Sequence, residues 1–205
     1  MNYTEITQAA LQYADKDKAS HVIANIDLFL RVVESRISRT LKISKMTARA
    51  TLPLLQDQEY YGLPDDFAGV RDVEIRTDLT SRDRTTLRYL SPEQMNTQAA
   101  NSGVTLSYTI IANQIQIFPP QADKLLEIVY YQRIPELKSA APVNWLSNYN
   151  PDAYIFGLLV EISSFLKDDN ATQMWESRFQ GAISSITHDD AITRWSGTAL
   201  TIKAG

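Results

Sequence analysis

Apolar residues recur every three or four positions at both ends of the chain, a spacing that predicts amphipathic helices. At the N-terminal end the pattern predicts a short helix over residues 4–14 with Thr4 as its N-cap. A long second helix is predicted over residues 19–43. Its apolar positions cover more than one face, so it needs packing partners on more than one side. Those partners are either other helices of the same chain or a neighbouring subunit.

Two further helices are predicted near the C-terminal end. The first starts at Pro151, because proline suits the first helical position and an asparagine precedes it as N-cap. The second covers residues 171–194, and its apolar stripe includes Trp175 and Phe179, which we expect in the core. Residues 196–205 carry no helical pattern.

Between the helical ends the apolar positions alternate with period two, which predicts β-strands. Strands are expected over residues 47–54, 70–76, 85–89, 104–111, 114–118 and 125–132. The two that flank Ala112-Asn113 form a predicted hairpin, and Ser91 followed by proline predicts the start of one helix inside this region.

The predicted fold is therefore α+β: a helical bundle of two N-terminal and two C-terminal helices with an inserted β-rich domain and an extended C-terminal tail. We expect the bundle to comprise residues 1–46 and 140–195, the β-rich insertion residues 47–135, and the tail residues 196–205.

Composition fits a globular protein of one large or two small domains, with 205 residues, 44% hydrophobic and 21% charged. The absence of cysteine excludes disulfides, thiol catalysis and thiolate metal sites, and suits assembly in a reducing cytoplasm. The N-terminal residues show no signal-peptide pattern, and no apolar run approaches the roughly 20 residues that span a bilayer. We therefore expect neither secretion nor a membrane partner.

Charge is distributed unevenly along the chain, although the net charge is −4. Residues 31–49 are strongly basic and contain Arg31, Arg36 and Arg39, whereas residues from 150 onward are mainly acidic. The basic stretch is either a solvated helix face or a surface that matches the charge of another copy or partner. A DNA-binding protein that uses this basic face is a further hypothesis, but the acidic net charge argues against it.

No pattern of catalytic or ligand-binding residues emerges from the sequence. The two histidines, His21 and His188, lie far apart and lack metal-ligand spacing, and neither a nucleophile elbow nor a phosphate-binding loop is present. The paired aspartates stand where turns or caps are expected. We predict no catalytic residues, no cofactor and no metal. A glycan-degrading enzyme, which would need two acids facing one cleft, is the alternative from another class.

The end of the last predicted helix has the composition of an interface. Trp195 follows Arg194, and an exposed tryptophan beside an arginine is typical of a binding hot spot. The alternative is that Trp195 folds back on its own helix. Beyond it, Leu200 and Ile202 alternate with polar residues, so this segment could form a strand only with a partner.

Several runs of packing and turn residues resemble the head-to-tail adaptor proteins of short-tailed phages. The resemblance covers most of the chain. The matching runs are Tyr130-Tyr131-Gln132-Arg133-Ile134-Pro135, Asn144-Trp145-Leu146, Asn150-Pro151-Asp152-Ala153-Tyr154, Phe165-Leu166-Lys167-Asp168-Asp169 and Tyr61-Gly62-Leu63-Pro64-Asp65-Asp66-Phe67.

The resemblance implies a structural virion protein rather than an enzyme. Such adaptors form a homo-oligomeric ring, generally of twelve copies, between the capsid portal and the tail nozzle or fibres, and DNA passes through the ring without specific binding. If the basic stretch matches the charge of another copy, Arg31, Arg36 and Arg39 lie at the subunit interface. The resemblance further implies that the segment from Trp195 to Gly205 docks on the portal, and the residues expected there are Arg194, Trp195, Leu200, Ile202 and Lys203. Another neck or tail-completion protein is the closest alternative.

Overall fold

The computed structural model describes residues 1–80, 82–99 and 105–195. It confirms the predicted α+β class, with helices at both ends and the β-strands in the middle. In chain order the elements are α1 Tyr3–Tyr13, α2 Ser20–Ile23, α3 Ile26–Thr40, β1 Thr47–Leu54, β2 Tyr60–Gly62, β3 Phe67–Arg76, β4 Arg84–Thr86, β5 Arg88–Tyr89, α4 Pro92–Ala99, β6 Ser107–Ile111, β7 Gln114–Phe118, β8 Lys124–Gln132, α5 Trp145–Tyr149, α6 Pro151–Phe165 and α7 Asp169–Trp195.

The chain divides into two compact units. The helical unit comprises Met1–Lys45 and Ile134–Gly205, and the β unit comprises Met46–Arg133. Each unit has its own buried apolar residues, so each is described separately below.

The first helix begins earlier than its predicted cap. Asn2, and not Thr4, is the N-cap: its side-chain oxygen accepts a hydrogen bond from the Glu5 backbone N–H at 2.9 Å. The Glu5 carboxylate in turn accepts from the Asn2 N–H at 2.9 Å, which completes a capping box. The asparagine–glutamate spacing of three is the sequence signal for this start.

The predicted long second helix is interrupted. Helix α2 ends at Ile23 and α3 starts at Ile26, with Asn25 between them in a non-helical conformation. The Asn25 side chain donates to the backbone carbonyl of His21 at 2.8 Å. Such a local side-chain bond competes with helix continuation, and this explains the break.

Helix α6 is the centre of the helical unit, because α1, α3, α5 and α7 all pack against it. It is apolar over most of its surface, as the sequence of a surrounded helix should be. At Gly157 it approaches α3 so closely that an added Cβ would lie 2.5 Å from Val33 Cγ1 and 3.2 Å from Phe179 Cε2. The absence of a side chain at this position therefore permits three helices to meet.

Replacing Gly157 with alanine should destabilise the protein by about 1–3 kcal/mol, because the new methyl group overlaps Val33 and the helices must separate. Gly181 on α7 is the matched control, since nothing lies within 4 Å of a Cβ placed there. Its replacement by alanine should stabilise the protein by about 0.5–1 kcal/mol through helix propensity. Urea unfolding of both variants gives the comparison, and a stable Gly157→Ala protein would contradict the close packing.

The β unit contains two four-stranded sheets. The first has the strand order β1-β8-β3-β4 and is antiparallel. The second has the order β2-β7-β6-β5, in which β5 and β6 pair in parallel. Helix α4 follows the predicted start: Ser91 Oγ accepts from the Gln94 N–H at 3.3 Å.

The predicted strand over residues 85–89 is instead two short strands that belong to different sheets. Strand β4 pairs with β3, and β5 pairs with β6. Leu87, which lies between them, is buried and donates its N–H to the carbonyl of Val73 at 2.9 Å. The chain therefore changes sheets at this leucine, an event that alternation of apolar residues does not reveal.

A buried carboxylate lies among the apolar residues of the first sheet. Glu127 on β8 is 1% exposed, and its oxygens are 2.6 Å from Arg76 Nη2 and 3.2 Å from both Arg49 Nε and Arg84 Nη1. The contact with Arg76 is an ion pair without hydrogen-bond alignment. These three arginines come from β1, β3 and β4, so one glutamate connects every strand of the sheet.

Candidate interaction surfaces

A polar network holds the C-terminal end of α7 within the helical unit. Arg194 Nη2 donates to the Asp190 carboxylate at 2.6 Å, and Arg194 Nε donates to Ser44 Oγ at 2.7 Å. The other Asp190 oxygen accepts from the Ser44 backbone N–H at 2.9 Å. Residues near 44 and 190, far apart in sequence, therefore fix the point from which the chain continues to residue 196.

Asp190 is held in its ionised form, which favours its ion pair with Arg194. Partial burial acts to raise the pKa of the Asp190 carboxyl, but the hydrogen bonds from Ser44 and Arg194 outweigh burial. The pKa of Asp190 is therefore below its usual value, and the carboxylate remains ionised at neutral pH.

A cleft of about 210 Å³ lies beside this network. Its walls combine apolar side chains, such as Ile43 and Ile186, with the charged groups of Lys45 and Arg194. Lys45 Nζ lies 3.8 Å from the centroid of the Tyr149 ring, and 68% of Tyr149 is exposed. This mixture of apolar and charged groups is common in protein interfaces.

Of the five predicted portal-docking residues, only Arg194 lies wholly within the described part of the chain. Arg194 takes part in the network just described. The side chain of Trp195 and the whole of Leu200, Ile202 and Lys203 lie outside the described residues, so portal docking stays a prediction.

Of the three arginines predicted at a subunit interface, two are exposed on α3 and one is engaged inside the unit. Arg31 and Arg39 are exposed. Arg36 is half-buried: its guanidinium binds both Glu176 oxygens at 2.7 and 2.8 Å and Glu161 at 3.1 Å. It therefore joins α3 to α6 and α7.

A buried network that the sequence did not predict connects α3 to the segment before α5. One oxygen of the Glu34 carboxylate accepts from the Leu137 N–H at 2.7 Å and from the Tyr154 hydroxyl at 3.2 Å. Asn144 Nδ2 donates to the Tyr154 oxygen at 2.8 Å and to the Pro135 carbonyl at 2.7 Å. These partners are up to 120 residues apart, so no local pattern signals them.

Burial raises the pKa of the Glu34 carboxyl, although the hydrogen bonds from Leu137 and Tyr154 oppose this effect. Nearby Glu136 raises the pKa further, and Arg31 lowers it. The folded carboxyl therefore retains a proton at pH values where the unfolded one has lost it.

This shift predicts the sign of a pH effect on stability. As pH rises from about 4.5 through the raised pKa, Glu34 should make the free energy of unfolding fall. Glu34→Gln removes that titration, so the stability of the variant relative to the wild type should increase with pH. Urea unfolding at several pH values between 4 and 8 measures the difference, and a relative stability that decreases with pH would contradict the assignment.

An aromatic cluster forms part of the surface of the helical unit. The Trp175 ring lies 6.4 Å from Tyr13 and 6.0 Å from Phe156 between centroids, and Arg178 Cζ lies 5.0 Å from the Trp175 ring centroid. Phe179 is in the core as predicted, but Trp175 is only partly buried. The expectation of a core Trp175 was wrong because the cluster places it beside exposed Tyr13.

Reactive groups are scattered across the described residues. His21 and His188 are both exposed, and His21 contacts Phe165 at a ring distance of 6.2 Å. In residues 1–80, 82–99 and 105–195, no three acidic or histidine side chains come together as a metal site would require. Over the same residues, none of the helices has the length and hydropathy of a membrane span.

Comparison with known proteins identifies the family of the chain. The family model described as SU10 adaptor protein matches residues 1–202. No curated protein matches the chain. The match covers both the helical and the β unit, and it agrees with the resemblance seen in the sequence. The chain therefore belongs to the SU10 adaptor protein family, a family of structural phage proteins that connect head to tail at the virion neck.

Proposed function

We propose that the protein assembles into a ring of twelve copies that joins the capsid portal to the tail nozzle or fibres. The observation that carries this proposal is the family match over residues 1–202, which includes nearly all of the chain. The subunits would be incorporated in the host cytoplasm before the virion is complete.

The helical unit supplies a suitable wall for such a ring. Helix α7 has 27 residues, which corresponds to about 40 Å at 1.5 Å per residue. Arg36 stabilises the packing of the helices in this wall, because its ion pairs connect α3 to α6 and α7. Arg31 and Arg39 remain exposed for contact with a neighbouring copy.

The C-terminal segment is proposed to dock on the portal. It starts where the Ser44–Asp190–Arg194 network fixes the end of α7, so its origin on the subunit is defined. Leu200 and Ile202 alternate with polar residues, a pattern that suits addition of a strand to a sheet edge. Arg194, Trp195 and Lys203 would add the cationic and aromatic contacts.

DNA would pass through the ring without specific binding. The net charge of −4 disfavours tight adhesion to a polyanion and suits its passage. The β unit would face the tail nozzle or fibres.

Paired substitutions in the C-terminal segment test the docking proposal. Leu200→Asp with Ile202→Asp should reduce affinity for the portal protein at least tenfold, because both residues of one strand face become charged. Ala199→Asp with Thr201→Asp adds the same charge to the other face and should bind more tightly than the first pair. Equal binding by both variants and the wild type would reject docking by this segment.

A further inference from the structure

A second cleft of the helical unit, of about 250 Å³, lies between α3 and residues 136–140. Leu30 and Leu137, both buried, form part of its wall. The volume is several times the roughly 30 Å³ of one water molecule, so the cleft has room for a long side chain. The charged residues that line it are Asp27, Arg31, Glu34, Glu136 and Lys138.

The buried Glu34 carboxylate has one oxygen without a partner among the described residues. Glu34 is 8% exposed, and its Oε1 accepts hydrogen bonds from the Leu137 N–H and the Tyr154 hydroxyl. Its Oε2 accepts none from the same part of the chain, yet this atom is not sealed from solvent. Because Glu34 lines the cleft, Oε2 is a free acceptor on the cleft wall.

The two cations that line the cleft do not satisfy this oxygen. Lys138 Nζ binds the Glu136 carboxylate at 3.1 Å, and both of these side chains are exposed. Arg31 is near enough to lower the pKa of the Glu34 carboxyl, but within the described ranges it makes no hydrogen bond to it. Burial still holds that pKa above its usual value, so another cation beside Oε2 would stabilise the ionised carboxylate.

The lining of the cleft suits an organic cation. Within residues 1–80, 82–99 and 105–195, no three acidic or histidine side chains come together as ligands of one metal ion. Asp27 stands seven positions before Glu34, about two helical turns, so both carboxylates lie on one face of α3. Acids beside an apolar wall match a side chain that has an aliphatic stem and a cationic tip. Arginine has this shape, and its guanidinium carries five donors in a rigid plane.

We propose that this cleft binds the guanidinium of an arginine side chain that another polypeptide presents. The guanidinium donates to Glu34 Oε2, and the aliphatic stem packs on Leu30 and Leu137. Asp27 and Glu136, both exposed, add negative charge at the mouth of the cleft. The site needs only the helical unit of one subunit, so its test does not depend on formation of the ring.

Two-dimensional NMR of the full chain tests the site with Nα-acetyl-arginine amide. Nα-acetyl-citrulline amide, which has nearly the same shape but no charge, is the matched control. The signal of the Leu137 amide, which donates to Glu34 at 2.7 Å, should shift saturably with the arginine probe. The citrulline probe should bind at least tenfold more weakly. Equal responses to both probes, or to sodium chloride at the same ionic strength, would overturn the proposal. Tighter binding of Nα-acetyl-lysine amide would overturn the choice of arginine.

Variants of the chain locate the binding on Glu34. Glu34→Gln retains an oxygen for Leu137 and Tyr154 but loses the charge, so it should fold and bind the arginine probe at least tenfold more weakly. Glu93→Gln, which removes an exposed carboxylate from α4 in the β unit, should bind like the wild type. Arg31→Gln should tighten binding, because it removes a cation that repels the probe. Unchanged binding by Glu34→Gln would contradict the proposed site.

Carboxylate labelling with a carbodiimide and glycine ethyl ester tests the presence of the partner polypeptide. Asp27 is exposed at the mouth of the cleft, so the free protein should be labelled there. In purified virions the partner should cover the cleft and reduce this labelling at least fivefold, as read by mass spectrometry. Equal labelling of Asp27 in the free protein and in virions would overturn occupation by a partner.

Discussion

Replacement of Glu127 by glutamine is expected to destabilise the protein by about 3–5 kcal/mol, the usual cost of removing one partner from a buried ion pair. Arg76 is 8% exposed and would remain as a buried cation without its carboxylate. Arg49 is largely exposed and can turn to water. Urea unfolding of the whole protein, followed by far-ultraviolet circular dichroism, measures the loss of stability.

Two comparisons make this prediction specific. Glu136→Gln removes an exposed ion pair with Lys138 and should change stability by less than about 1 kcal/mol. Arg76→Met combined with Glu127→Leu replaces the pair with apolar groups and should recover most of the stability lost in Glu127→Gln. A Glu127→Gln protein as stable as Glu136→Gln would show that the buried cluster contributes little.

Replacement of Asn144 by alanine is expected to cost about 2–4 kcal/mol, because it removes a helix cap and leaves buried polar groups without partners. Asn144 Oδ1 accepts a hydrogen bond from the Ser147 N–H at 2.8 Å. Its Nδ2 donates hydrogen bonds to the Pro135 carbonyl and to the Tyr154 hydroxyl oxygen. Thermal and urea unfolding of the variant provide the measurement.

Asn148 is the matched control for this change, since it lies in the same short helix but is exposed. Asn148→Ala should alter stability by no more than about 0.5 kcal/mol. Equal losses in the two variants would mean that the cost arises from helix α5 as a whole rather than from the network around Asn144.

The parts of the fold that the sequence predicted are those governed by local patterns. Strand β1 has the predicted bounds, and the hairpin turns at Ala112, which adopts a positive φ of 54°. Proline at the start of α6 and Ser91 before α4 marked two helix starts correctly. Where a side chain competes with the helix, as Asn25 does, periodicity alone missed the break.

The surfaces were predictable only where their residues are close in sequence. The Asp190–Arg194 pair has the spacing of four that joins neighbouring turns of a helix. The Glu34 network and the aromatic cluster depend on residues from different helices, so nothing in the local pattern brings them together. Arg36 looked like an exposed cation, because its two glutamate partners lie 125 and 140 residues away.

Native mass spectrometry of the protein, alone and mixed with the portal protein of the same phage, tests the adaptor account most directly. The expected result is a complex in which a closed set of twelve copies is bound to one portal ring. Electron microscopy of the same sample should place those copies in a ring around a central channel. A protein that stays monomeric and does not bind the portal would contradict the account.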